Sequence, residues 1–329
     1  MTISRRNFIA AASSVGAGVA LSPLAPGMAQ ASGSKEQKAA SVENAGFHRF
    51  QLGGFEITTL LDGRRGGEAP EKIYAIDQQA GDVERLLEEN LLPTDRFVNS
   101  FTPVLINTGK ELVLFDTGMG AGAREAGQGK LISALEASGY KAEDVTLVVL
   151  SHFHPDHIGG LMEDGKPAFA NARYAAGQKE FDFWADPARL DSPAKGVAEL
   201  VAKNVKPLSE KITFLDGDSE VVSGIHAVEA FGHTPGHLAF RVETDGKSLM
   251  LISDTANHFV ITLQRPEWHV SFDIDKDMAA ATRKRIFAML ASERLPFIGY
   301  HMPFPSVAYL KREGEGYRYI PETYQFQDK

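Results

Sequence analysis

The sequence predicts an α/β fold: one sheet-rich body whose outer faces are covered by helices. Three observations carry this. Asp144 to Leu150 reads DVTLVVL, a continuous apolar run of the kind buried on both faces of a sheet. Short strand-like runs recur from Phe47 to Ile252, punctuated by turn residues. Asp275 to Arg294 carries a long helical pattern, with Met278, Ile286, Met289 and Leu290 read on one side. A sheet apolar on both faces needs helices outside it. The chain has 329 residues, 43% hydrophobic and 23% charged. That excludes a mainly disordered or collagen-like chain and suffices for a sizeable core without covalent staples.

Taken in order, Phe47 to Leu61 carries two short strand-like runs split by Gly53-Gly54. Arg64 to Asn99 is mostly polar, with one helical patch near Asp82 to Leu92. A long segment of this kind inside a compact domain is usually functional, and here it reads as a lid or as the arm of a homodimer. Phe101 to Ile106 and Glu111 to Phe115 read as strands joined by the turn Asn107-Thr108-Gly109-Lys110. Leu131 to Tyr140, Ala175 to Trp184 and Pro193 to Lys203 read as helices. Short strands are expected at Ile212 to Phe214, His226 to Phe231, Leu238 to Glu243 and Leu249 to Ile252.

The N-terminus reads as an address. Arg5 and Arg6 are followed by an Ala/Gly-rich apolar run from Phe8 to Leu21, then by Ala29-Gln30-Ala31, a small-x-small cleavage pattern. This divides the chain into a twin-arginine signal (1–31), a disordered Ser/Lys/Ala/Glu-rich lead-in (32–45) and a catalytic domain (46–329). The expected location is periplasmic or secreted, after export in the folded state. The formal charge is −9 with no basic cluster, which disfavours nucleic acid as a partner. No later stretch approaches the length of a membrane span. There are no cysteines, so disulfides, thiolate metal sites, iron–sulfur clusters and a Cys nucleophile are excluded.

Five of the ten histidines fall into a pattern. Ser151-His152-Phe153-His154-Pro155-Asp156-His157-Ile158-Gly159-Gly160 follows the apolar strand directly, in the strand-end position where sites are built. Imidazole and carboxylate together suit Zn²⁺, Mn²⁺, Co²⁺ or Fe²⁺. His152 and His154, two apart in an extended stretch, point the same way and can share one ion. Asp156 and His157 lie where the chain must turn and can address a second point. Three further apolar runs end in a candidate ligand: His233 after Phe231, Asp254 after Ile252, and His301 after Ile298.

His152-x-His154-x-Asp156-His157, followed by His233, Asp254 and His301, resembles the ligand set of the metallo-β-lactamase superfamily. Leu114-Phe115-Asp116-Thr117-Gly118 is similar to that superfamily's upstream strand–turn motif. The resemblance covers essentially the whole mature chain. It implies a four-layer αβ/βα sandwich of two mixed β-sheets flanked by helices, with the site along one sheet edge. It assigns His152, His154 and His233 to a first metal and Asp156, His157 and His301 to a second. Asp254 bridges them, and Asp156 and Asp254 are the catalytic carboxylates. The implied cofactor is two divalent ions, with zinc the first choice. Asp116 is expected to hold ligands in place from behind. Gly54 to Gly63, Gln178 to Trp184 and Gly316 to Pro321 look like the exported methyl parathion hydrolase and dihydrocoumarin hydrolase branch, and acyl-homoserine-lactone lactonases are more distant relatives.

The function that follows is a two-metal hydrolase acting on a small molecule. Two divalent ions about 3.5–4 Å apart can hold a bridging hydroxide for attack on a lactone or aryl ester. Phosphotriester hydrolysis is the alternative, and a mononuclear iron persulfide dioxygenase of the same fold a more remote one. Thr234 and Ser253 adjoin ligands and are candidates to hydrogen-bond them. His237 is read as structural, and His48, His226 and His269 as structural or surface. Trp184, His258 and Phe272 are placed on the substrate wall, with Phe181, Phe259, Trp268 and Val270 as further candidates for an apolar lining. No motif identifies an acid for the leaving group.

Overall fold

The computed structural model describes residues 45–323. The signal and all but the last residue of the lead-in lie outside them. The chain lays down one seven-stranded sheet, then a second. The first is Phe47–Leu52, Phe55–Leu60, Val104–Asn107, Leu112–Phe115, Leu147–Leu150, Arg173–Gly177 and Ile212–Leu215, side by side in that order. Its first four strands pair antiparallel and the rest parallel. The second runs Glu220–Val222, Ile225–Glu229, Leu238–Thr244, Lys247–Ser253, Phe297–Gly299, Val307–Glu313 and Gly316–Pro321. It is antiparallel except where Lys247–Ser253 meets Phe297–Gly299.

Side chains alternate along a strand, and here both faces are used. Leu147 and Val149 pack between the sheets with Ile57, Val113, Phe240 and Leu251. Val148 and Leu150 face outward, against Leu135 of the helix Leu131–Ala137 and Val201 of the helix Lys195–Asn204. The second sheet buries Met250, Ile252 and Phe297 against Ile286, Phe287 and Leu290 of the long helix Lys276–Glu293. The layers are therefore helix, sheet, sheet, helix. Each fully buried aliphatic or aromatic side chain contributes about 1.5–3 kcal/mol.

The long helix begins one residue after Asp275, whose side chain caps the Met278 N–H, and ends at Arg294 in the left-handed region. Its buried face is Ala279, Arg283, Ile286 and Leu290, while Met278 lies outside it and is exposed. The helical reading of Ala175 to Trp184 is corrected at its start. Residues 175–177 complete the strand Arg173–Gly177, and the helix is Gln178–Ala185. The polar segment after Arg64 does hold a helix, Ala80–Glu89, but its ends form an unforeseen hairpin, Gly63–Glu68 with Arg96–Phe101. Tyr74, Val83 and Leu87 anchor this segment on Ile261, Trp268 and Val270. Among the described residues no helix is long and apolar enough to cross a membrane.

Candidate metal centre

Each ligand-type residue sits where a strand stops. Leu147–Leu150 ends at Ser151, and Pro155 opens a single helical turn, Pro155–Ile158, with the fixed φ that suits a first helical position. That turn places Asp156 and His157 in a second group, with the His157 ring still 4.0 Å from that of His152. His233 follows Gly232, whose φ is +125° and whose missing side chain lets the backbone press on Ala279 of the long helix. Pairing between Lys247–Ser253 and Phe297–Gly299 slips after Leu251, and Ser253 takes φ +43°. An irregularity of this kind re-aims a side chain, and here it delivers Asp254. His301 follows Gly299 on the neighbouring strand.

The structure brings all seven together, in two groups. His152, His154 and His233 converge in one, and Asp156, His157, Asp254 and His301 in the other. Asp254 belongs to both by distance. Its Oδ2 lies 3.4 Å from His233 Nε2 and 2.9 Å from His301 Nε2, and its Oδ1 lies 3.2 Å from His157 Nε2. His301 Nε2 is 3.5 Å from Asp156 Oδ2. His154 Nδ1 and His233 Nε2 approach to 2.9 Å.

This arrangement fits divalent ions. His152 Nε2, His157 Nε2 and Asp254 Oδ1 are buried and make no hydrogen bond. Leaving such atoms unmatched costs about 1–3 kcal/mol each, so their convergence needs a common partner. The opposite ring nitrogens are engaged. His157 Nδ1 faces Asp116 Oδ2 at 2.9 Å, His233 Nδ1 faces Asp273 Oδ1 at 2.9 Å, His301 Nδ1 meets Ser100 O at 3.1 Å, and His152 Nδ1 meets Ser151 Oγ at 3.0 Å. Partners of this kind fix the tautomer and aim the free nitrogen at a metal.

Electrostatics separates the groups. Burial, with the neighbouring imidazoles, pushes His152 well down and His154 to about 3, so both stay neutral. Burial would also push His157 and His301 down, but Asp254 and Asp156 hold them up, His157 strongly and with help from Asp116. In return those imidazoles hold Asp254 far below the carboxylate range and Asp156 at about 2, against burial. The centre thus keeps its carboxylates ionised where cations are to sit.

Several supporting residues escaped the sequence reading. Glu180, fully buried, accepts from Phe153 N, Trp184 Nε1, Thr234 Oγ1 and Gly236 N, and so ties the His152 loop to the His233 loop. Thr234 is therefore spent on Glu180 rather than on a ligand, which removes it from the candidates for holding one. Ser253 reaches the ligands only through Ser151 Oγ, at 2.8 Å. Asp273 is held by buried Arg283 at 2.7 Å. His237 accepts from Asp254 N through Nε2 and faces Ala230 O with Nδ1, a structural role as read.

Above the centre lies a cavity of about 580 Å³ with His154, Asp156, His233, Asp254 and His301 at its base. Its wall includes Phe97, Phe101, Tyr74, Val197 and Phe272. Trp184 and His258 are not on it. Trp184 is buried behind His154, its ring centre 6.1 Å from that imidazole. His258 is buried behind Tyr74, accepting from Val260 N and Ile261 N. Phe181, Phe259, Trp268 and Val270 are likewise absent from the wall.

Residues 96–295 match the family model described as the metallo-beta-lactamase superfamily. The chain belongs to the metallo-β-lactamase superfamily. As a member, it is a metal-dependent hydrolase whose two mixed sheets and flanking helices form that family's sandwich. Among curated relatives, an N-acyl homoserine lactonase of Bacillus cereus is 28% identical over 210 residues, covering 60% of this chain and 76% of the relative. Among solved structures, AidC, a dizinc quorum-quenching lactonase in complex with a product, N-hexanoyl-L-homoserine, superposes with a TM-score of 0.77 at 30% identity, over 85% of this chain and 98% of that one. The hydrolase AbOPH of the β-lactamase superfamily superposes with a TM-score of 0.78 at 29% identity, over 86% and 99%. Placement at strand ends brings seven donors scattered from 152 to 301 into two adjoining groups.

Proposed function

We propose that this hydrolase opens lactones at a two-metal centre. The carrying observation is Asp254, whose two oxygens address both groups of donors beneath an aromatic cavity. His152, His154 and His233 would hold one ion, Asp156, His157 and His301 the other, with Asp254 shared. When bound, such ions lower the pKa of a water and polarise an ester carbonyl. The chain's own groups prepare this chemistry. Asp116, Asp273 and the Ser100 carbonyl lock ring orientations, and Phe97, Phe101 and Phe272 supply an apolar wall that sheds water from an incoming ring. Relatives named as lactonases support the lactone as substrate class.

Aryl esters and aryl phosphotriesters are the second reading, supported by the same aromatic wall, which suits a flat leaving group. Zinc is the proposed metal, supported by the dizinc relative and the histidine-rich donor set. Export by the twin-arginine route, with ions loaded beforehand, is proposed from Arg5, Arg6 and the Ala29-Gln30-Ala31 pattern.

The test is hydrolysis of N-hexanoyl homoserine lactone, dihydrocoumarin and methyl paraoxon by metal-quantified protein, with and without chelator. A chelator-sensitive kcat/KM of order 10⁴ M⁻¹s⁻¹ or more on a lactone supports the reading. Faster turnover of the phosphotriester than of either lactone reverses it.

A further inference from the structure

Glu180 lies wholly buried in the first turn of the helix Gln178–Ala185, behind the first group of donors, His152, His154 and His233. Its Oε1 accepts from Phe153 N at 2.9 Å and Trp184 Nε1 at 2.8 Å, and its Oε2 from Thr234 Oγ1 at 2.6 Å and Gly236 N at 3.0 Å. Each oxygen thus takes two hydrogens, which leaves no place for a carboxyl proton and selects the ionised form. All four donors are neutral, and no lysine or arginine among the described residues bonds to Glu180. Burial pushes the carboxyl up against the pull of those donors. A buried charge without a counter-ion is costly, and such groups are ordinarily paired or set beside a metal.

The four donors show where the counter-charge belongs. Phe153 stands between His152 and His154, Thr234 follows His233, and Trp184 packs behind the His154 ring. Every ligand of the first group is therefore one residue, or one ring contact, from a bond to Glu180. None of the four donors adjoins Asp156, His157, Asp254 or His301 in the chain. The first group is also the poorer in charge. Its donors are three imidazoles, and Asp273 behind His233 is already matched by Arg283. The second group counts Asp156 and Asp254 among its donors and has Asp116 behind His157.

We propose that Glu180 is the positioning residue and counter-charge of the first metal group, and that it sets the affinity of that group alone. This rests on the two-metal reading and deepens it. The four bonds fix the spacing of the His152 and His233 loops before the group is filled, and the carboxylate gains its missing partner when it is. Gly236 shows how closely the loops are seated, since a methyl group there would lie 2.1 Å from Glu180 N.

The test uses metal-free protein and Zn²⁺ alone, and needs no turnover. His301→Ala damages the second group and leaves the first to be titrated, and His233→Ala does the reverse. Glu180→Gln keeps the side chain's shape but removes its charge, and either orientation of the amide sets NH₂ against a backbone N–H, that of Phe153 or that of Gly236. In the His301→Ala background it is expected to weaken Zn²⁺ binding about ten- to hundredfold by calorimetry. In the His233→Ala background the affinity is expected to stay within about twofold. Thr234→Val removes one of the four donors and keeps the carboxylate. It is expected to weaken the first group about three- to tenfold and to spare the second, and it carries the test if Glu180→Gln does not fold. A residue that only stabilised the fold would lower both affinities together. That result, or a first group indifferent to both variants, overturns the proposal and leaves the two-metal reading standing. Absence of Zn²⁺ binding in His301→Ala with Glu180 intact would instead sink the two-metal reading, and the proposal with it.

Discussion

Asp254 carries more of the centre than any other side chain, because it faces three imidazoles from two groups while remaining buried. Asp254→Ala should leave the fold intact, remove at least half of the bound metal by elemental analysis and abolish turnover. Retention of two ions at full rate would refute the shared-ligand assignment. His258 offers a different prediction. Burial lowers its pKa to about 3, whereas in the unfolded chain it titrates near 6.5. Between those values the unfolded state takes up a proton that the folded state refuses. The stabilisation is therefore present above about pH 6.5 and is lost as pH falls toward 3. His258→Asn keeps an acceptor near Nδ1 for the Val260 and Ile261 N–H groups but cannot titrate. Its urea midpoint should fall less between pH 7 and 5 than that of the wild type, measured with metal removed from both. The sequence revealed the donors because His and Asp at strand ends have few other reasons to cluster. It did not reveal Glu180, Asp273 or Arg283. These are common polar residues whose roles exist only through partners tens of residues away, such as Glu180 with Thr234 or Asp273 with His233.

Among the elements, the loop after Leu112–Phe115 and the turn after Pro155–Ile158 are pressed together with no room for a side chain. A methyl group on Gly160 would lie 2.1 Å from the Thr117 carbonyl oxygen, and one on Gly120 2.3 Å from that of Gly159. Thr117 also donates to the His157 carbonyl through both N and Oγ1. Gly160→Ala must push this turn away, and with it His157. We expect a loss of about 1–3 kcal/mol in urea unfolding together with weaker metal retention, and an unchanged metal affinity would show that the turn moves independently of His157. The elements themselves were legible to different degrees. Leu147–Leu150 was plain because both its faces are apolar. Arg173–Gly177 was hidden because its alanines continue smoothly into the helix Gln178–Ala185, and only its pairing with Leu147–Leu150 on one side and Ile212–Leu215 on the other makes it a strand. The hairpin Gly63–Glu68 with Arg96–Phe101 was hidden because its Gly- and Arg-rich first strand has no apolar alternation and its partner lies beyond an intervening helix.

For the molecule as a whole, the centre is a set of charges and unmatched donors held in place by the scaffold behind it. Removing the ions should leave that scaffold standing, since Asp116, Asp273, Glu180 and the carbonyls behind the imidazoles are satisfied by protein alone. Chelated protein should therefore keep its far-ultraviolet circular dichroism but melt at lower temperature, and added Zn²⁺ should raise Tm in a concentration-dependent way. A Tm indifferent to zinc would argue against a native-state metal site. The order in which the chain builds its sheets has a further consequence. His152, His154, Asp156 and His157 all come from the first sheet's half, and His233, Asp254 and His301 all from the second's, with the passage between Leu215 and Glu220 made only once. Either half alone holds an incomplete coordination set. Cut at that passage, the protein would become two fragments that a divalent ion clasps together, and their reassembly would serve as a sensor for the metal itself.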